Sequence, residues 1–166
     1  VMRALRSGIA LYAIHTNLDN VSSGVNRHLG ELLGCKPESL RILKPMGAKL
    51  EKWAVFVPLT HLETVRSAMS RAGAGHIGKY DECSFSVEGL GTFRAQEGSQ
   101  PFVGDIGTMH QEPEARLEMV VPGEAMPAVR KALLDAHPYE EVAYDRIALE
   151  NERMDLGAGM VGELPE

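Results

Sequence analysis

An imidazole and a carboxylate stand four positions apart in His15-Thr16-Asn17-Leu18-Asp19, directly after the apolar run Gly8 to Ile14. Side chains placed at the carboxyl end of a strand converge on binding sites in α/β proteins. These two types suit a divalent metal, as nitrogen and oxygen ligands, or a general base and the group that orients it. The residue types alone favour a plainer arrangement, in which Asp19 caps the turn and His15 packs beside it.

A second polar cluster is His137-Pro138-Tyr139-Glu140-Glu141. It could bind a ligand, but helix termination accounts for most of it. Pro138 stops the helix, and His137 in the last turn complements the helix dipole. Gly157-x-Gly159-x-x-Gly162 matches the dinucleotide-binding spacing. It lacks the helix and the later acidic residue which that chemistry needs. Cys83 reads as a strand residue without a His partner, so it makes a poor nucleophile. His28, His61, His76 and His110 lack metal-ligand spacing and read as exposed.

The elements that must position these groups follow from periodicity. A strand is expected over 8–14, then a helix over 23–34 with Ser22 or Ser23 as N-cap and Gly34 as its stop. Val25, Leu29, Leu32 and Leu33 recur at helical spacing. Leu40 to Leu43 reads as a short strand, and Pro45-Met46-Gly47 as a boundary. From about 50 to 150 the chain repeats itself at an offset of 64: Val57-Pro58 falls on Val121-Pro122, Val65-Arg66 on Val129-Arg130, and Tyr80-Asp81 on Tyr144-Asp145. Met69 against Leu133 and Phe85 against Leu149 are conservative matches. Each copy reads strand, helix, strand: Trp53 to Val57, a helix capped by Thr60 and ended by Gly73, and Tyr80 to Val87. In the second copy the elements are Leu117 to Val121, about 124–136, and Val142 to Leu149. Gly89, Gly91, Gly98 and Pro101 mark a hairpin and loop between them. The fold class is therefore α+β, with a ferredoxin-like β-α-β-β-α-β domain.

The 166 residues carry 17 Lys and Arg against 23 Asp and Glu, a formal charge of -6. That sign argues against a protein that tracks nucleic-acid phosphates. With 44% hydrophobic and 24% charged residues the chain can fill a core. No apolar run approaches the ~20 residues of a membrane span. Cys35 and Cys83 are too few for a disulfide framework or a zinc cluster, and read as reduced thiols of a cytoplasmic protein. The chain opens without Met close to an apolar strand and stops after a turn-rich segment, as a piece of a longer protein would.

The run Gly8 to Asp19, followed by Gly24-Val25-Asn26 and the helix to Gly34, resembles the first half of the NIF-three-like family (NGG-one-interacting-factor-three). Its members carry the name of type-two GTP cyclohydrolase homologues. Gly78 to Phe85, Gly89 to Phe93, Pro101 to Gly104 and His137 to Asp145 resemble the inserted, PII-like and CutA-like domain of its longer bacterial members. Gly157 to Leu164 resembles the family's re-entry into its second half. The resemblance implies three parts: residues 1–49 as part of an α/β metal-binding domain, 50–150 as the ferredoxin-like insert, and 151–166 as the re-entry. It also implies two divalent metal ions per subunit in the intact protein (Zn, Mn or Fe), with Asp19 as a ligand and His15 as its neighbour. The remaining ligands are expected outside this chain, and the assembly is expected to be a homohexamer.

Two functions compete at this point. One is a metal-dependent, cyclohydrolase-like hydrolase in which two metals activate water. The other is a regulatory or interaction protein whose insert senses a small molecule or mediates assembly. Family membership does not fix the chemistry.

Overall fold

A computed structural model describes residues 1–46, 49–151, 153 and 155–165. Gly47, within the expected boundary, lies outside the described residues, as do three positions of the expected re-entry segment 151–166. In chain order the elements begin with α1 (Met2–Arg6), α2 (Val25–Leu32) and β1 (Arg41–Pro45). There follow β2 (Leu50–Pro58), α3 (Leu62–Arg71), β3 (Phe85–Arg94), β4 (Met109–Pro122), α4 (Met126–Ala136), β5 (Tyr144–Ala148) and β6 (Gly157–Val161). They gather into two compact units, 1–48 with 152–166, and 49–151. The fold is mixed α+β with antiparallel sheets throughout.

The second unit has the order β-α-β-β-α-β and a four-stranded sheet, β3-β4-β2-β5. Its centre is the β2–β4 ladder, where Trp53, Val55 and Val57 stand opposite Met119, Leu117 and Ala115. These six side chains are buried, because period-two alternation turns them all to one face. Val65 and Met69 of α3, with Val129 and Leu133 of α4, close that face and are fully buried. The offset of 64 thus pairs residues with equal jobs: Val65 with Val129, Met69 with Leu133, and Val57-Pro58 with Val121-Pro122 at two strand ends.

The repeat weakens at its margins. Tyr80 does not open a strand as Tyr144 does, because Ile77 and Tyr80 close a tight turn on each other with N–H···O bonds of 2.9 and 3.0 Å. Gly78 and Glu82, at φ +60° and +51°, keep this stretch from extending, and the ladder starts only at Phe85. Cys83 consequently lies ahead of the strand, its N–H donating to the Gly75 carbonyl at 2.8 Å. Thr60 does not cap α3. It belongs to a short 3-10 turn, Leu59–His61, and its hydroxyl meets the His61 ring at 2.9 Å.

In the first unit β1 and β6 pair antiparallel, Ile42 opposite Met160. The strand expected over 8–14 is absent. Residues 2–6 form a helical turn instead, and 9–14 run without a ladder. A strand exists only through a partner's hydrogen bonds, and none among the described residues reaches this segment. Neither Ser22 nor Ser23 caps α2: Gly24 holds that place, and the Ser22 N–H is spent on the Asp155 carbonyl at 2.9 Å. Gly34, at φ +83°, ends the helix as expected. The first two glycines of the dinucleotide-like spacing, Gly157 and Gly159, lie on strand β6, which pairs with β1 and forms no turn into a helix as a phosphate loop would.

Leu133 and Leu134 are adjacent on α4, but the first is fully buried and the second 38% exposed. Leu133→Ala should cost about 2–5 kcal/mol and Leu134→Ala under about 1 kcal/mol, read from urea unfolding. Similar losses at both positions would contradict this helix orientation.

Candidate functional site

His15 to Asn20 forms a 3-10 turn rather than the end of a strand. His15 opens it at φ +50°, a left-handed conformation that costs an L-residue about 1 kcal/mol. The start of α2 is clamped onto this turn. Asn26 donates its side-chain amide to the Asp19 carbonyl at 2.7 Å, and a Cβ on Gly24 would stand 1.8 Å from the Leu18 carbonyl oxygen. Backbone thus meets backbone here, which only glycine permits. The Asp19 carboxylate does not cap the turn: among the described residues it has no hydrogen-bond or ion-pair partner. His15 is exposed rather than packed. The turn therefore holds an imidazole and a carboxylate that the fold itself does not use.

Among the described residues no group of three or more His, Cys, Asp and Glu side chains could hold a metal ion. His15 and Asp19 can supply part of a ligand set. The spacing His-x-x-x-Glu occurs at His110–Glu114 and at His137–Glu141, both in the second unit, whereas the turn belongs to the first. His110 is bonded to Glu112 at 3.0 Å. His137 has both ring nitrogens engaged, Nε2 on the Phe56 carbonyl at 3.0 Å and Nδ1 accepting from the Tyr139 N–H at 3.1 Å. That pattern leaves the proton on Nε2 and the ring neutral.

His137 was expected to complement the dipole of α4 as a cation, and its environment prevents that. It is the C-cap residue, buried, with its ring held below the ordinary imidazole range chiefly by burial. His61 and His110, expected to be exposed, are half-buried against Phe102 and Phe93 respectively.

The residues after His137 wall a cleft of about 410 Å³ in the second unit. Its floor is Glu114, on β4 among residues that alternate away from the helices. Glu114 is buried, 8% exposed, and the Tyr139 hydroxyl donates to its Oε1 at 2.8 Å. Burial and that carboxylate push the phenol well above its ordinary value, so it stays a donor. Phe93 and Phe102 flank Tyr139, each with its ring centroid 6.1 Å away. Glu140 accepts from the Gln100 N–H at 2.7 Å, tying the long β3–β4 connection to the loop after α4. The sequence flagged Tyr139 and Glu140 but missed Glu114, Phe93 and Phe102. The usable signal was a carboxylate inside a strand pattern, opposite a sequence of alternate glycines, Gly89 and Gly91.

The model of the family described as Duf34/NIF3 (NGG1p interacting factor 3) matches residues 1–166. A protein named GTP cyclohydrolase 1 type 2 homolog from Mycobacterium leprae is 44% identical over 99% of this chain and 43% of its own length. The protein of the same name from Bacillus subtilis is 44% identical over 99% of this chain and 44% of its own. The crystal structure of a Bacillus cereus protein related to NIF3 superposes with a TM-score of 0.82 at 44% identity, covering 99% of this chain and 43% of that one. The chain spans less than half the length of these relatives.

His137 sets a pH dependence. Below its ordinary value of 6.5 the unfolded chain binds a proton that the buried ring resists. Its contribution to stability is therefore complete above 6.5 and falls as pH drops from there toward the lowered folded-state value. Between about pH 7.5 and 5.5 the native chain should lose more unfolding free energy than His137→Gln, whose amide can still donate to Phe56. Equal losses in urea titrations would remove His137 as the cause.

Proposed function

The chain belongs to the Duf34/NIF3 family, and from that premise we propose that it carries part of a divalent-metal centre in a cyclohydrolase-like, metal-dependent hydrolase. The observation that carries this reading is the turn His15–Asn20, which keeps an unpartnered carboxylate and an exposed imidazole on a strained, clamped backbone. Strain of that kind persists where the surroundings over-determine it, commonly at functional sites. Asp19 would bind metal through its carboxylate, and His15 would orient a neighbouring ligand or move a proton. With further ligands from outside these residues, they would help hold divalent metal, whose chemistry when bound would be to acidify water and offset negative charge on a substrate. The relatives' shared name points to GTP as the first substrate to try.

The second unit is read as a PII-like or CutA-like module inserted into the metal-binding domain. Its support is the pairing of β1, which precedes it, with β6, which follows it. Homohexameric assembly and a cytoplasmic setting belong to the same reading. Among the described residues no helix is long and apolar enough to cross a membrane. The cleft under Tyr139 favours a second reading, in which this module senses a small molecule.

The intact protein should hold about two divalent ions per subunit by elemental analysis. Asp19→Ala should lower that content with an unchanged circular dichroism spectrum, since the carboxylate has no hydrogen-bond or ion-pair partner to lose among the described residues. Chelator should abolish GTP turnover, and Zn²⁺ or Mn²⁺ should restore it. Metal content unaffected by Asp19→Ala would take Asp19 out of the ligand set, and turnover indifferent to chelator would favour the sensing reading.

A further inference from the structure

The cleft in the second unit has three physical properties that together select a class of ligand. The first is a buried charge short of compensation. Glu114 is 8% exposed, and among the described residues its one hydrogen-bond donor is the neutral Tyr139 hydroxyl. Its Oε2 lies over Gly91, where a Cβ would come within 2.1 Å, so the absence of a side chain there makes room for the carboxylate. Arg116, two residues along the same strand face, spends its guanidinium on Glu118 at 3.1 Å. A buried carboxylate with only a phenol as partner is costly unless a positive group joins it.

The second property is the sign of the lining. Glu114, Glu140 and Glu141 border the cleft, against one cation, Arg94. An anion such as phosphate would enter against this field, and a cation would be drawn in. The third is the wall itself. Phe93 and Phe102 lean toward Tyr139 at interplanar angles of 60° and 49°, so three inclined rings bound one space. The negative faces of such rings attract ammonium groups, most strongly where water is excluded. The volume, about 410 Å³, lies in the range of small-molecule sites.

We propose that this cleft binds a small organic cation, an alkyl- or quaternary ammonium group seated among Phe93, Phe102 and Tyr139 with Glu114 as its counter-ion. The Tyr139 hydroxyl keeps its proton and fixes Oε1, while Oε2 has no donor among the described residues, so the carboxylate's charge is left for the ligand to balance. The contact between Gln100 and Glu140 ties the β3–β4 connection to the loop after α4 at the cleft's wall. This inference is independent of metal binding at Asp19, which lies in the other unit.

Calorimetric titration of the full chain with choline, tetramethylammonium and ethylammonium tests it. Dimethylbutanol serves as the uncharged isostere of choline, and inorganic phosphate as the anion. At least one cation should saturate with a Kd of about 1 mM or tighter, and dimethylbutanol and phosphate should bind at least about tenfold more weakly. Glu114→Gln keeps the acceptor for Tyr139 and removes the charge, so it should weaken the cation by about tenfold or more. Phe102→Leu, at a side chain 54% exposed, spares the fold and removes one aromatic face, so it too should weaken the cation. Failure of all three cations to saturate overturns the proposal. So does equal affinity for dimethylbutanol, tighter binding of phosphate, or Glu114→Gln binding like the native chain. If Glu114→Gln does not fold, an unchanged affinity in Phe102→Leu is decisive against it.

Discussion

The antiparallel ladder between β2 and β4 is the constraint on which the second unit depends. Its nine paired positions put Trp53, Val55 and Val57 against Met119, Leu117 and Ala115, and both helices close over them. Burying each of the larger of these side chains, Ala115 apart, contributes roughly 1.5–3 kcal/mol, so this face supplies much of the unit's favourable free energy. The opposite face of β4 is thereby freed for polar residues. Glu114 sits there because strand alternation places it one step out of the core, and His137 hangs the loop after α4 on the Phe56 carbonyl. The cleft is a by-product of where a well-packed sheet ends.

The edge of that core is held by a smaller network. Trp53 stacks on Tyr144 at 5.6 Å, donates its indole N–H to Glu51 at 2.9 Å, and lies under the Arg146 guanidinium at 5.2 Å. Arg146 in turn grips Glu51 with two hydrogen bonds and holds its carboxyl below the usual range. These contacts pin the edge strand β5 to the centre of the sheet. The first unit is built differently. Among its described residues Ile42 is the one buried large apolar side chain, while Leu11, Leu32 and Leu33 stand more than half exposed. Its order rests on backbone contacts: the β1–β6 pairing, the Ser22–Asp155 bond and the Gly24–Leu18 approach.

The two units also divide the chemistry. The turn of the first exposes groups without partners, which suits ligands completed by other residues. The cleft of the second is open at one side and internally bonded, with a buried carboxylate at its floor, which suits recognition of a small molecule. In each case the backbone, through a clamped turn or a strand glycine, decides what the side chains can reach.

What the sequence by itself determined were the features that local patterns encode. The duplicated strand-helix-strand unit, the buried faces of α3 and α4 and the stop at Gly34 all follow from period and from single-residue preferences. The turn bearing Asp19 and His15 was legible through its motif. What only the tertiary structure decided depended on partners distant in the chain. Residues 8–14 have strand composition but no ladder, since pairing belongs to two segments and is written in neither alone. Ser22 and Thr60 looked like caps, yet Gly24 takes the cap position of α2 while the Ser22 backbone bonds Asp155, and the Thr60 hydroxyl meets His61. His137 looked like a helix-end cation, but folding buries its ring, and that burial holds it below the ordinary imidazole range although a carbonyl 81 residues earlier accepts its hydrogen bond. Glu114 gained its meaning only when Tyr139, 25 positions on, reached it across the sheet end. Periodicity reports which face a residue occupies, and only folding reports what waits on the other side of that face.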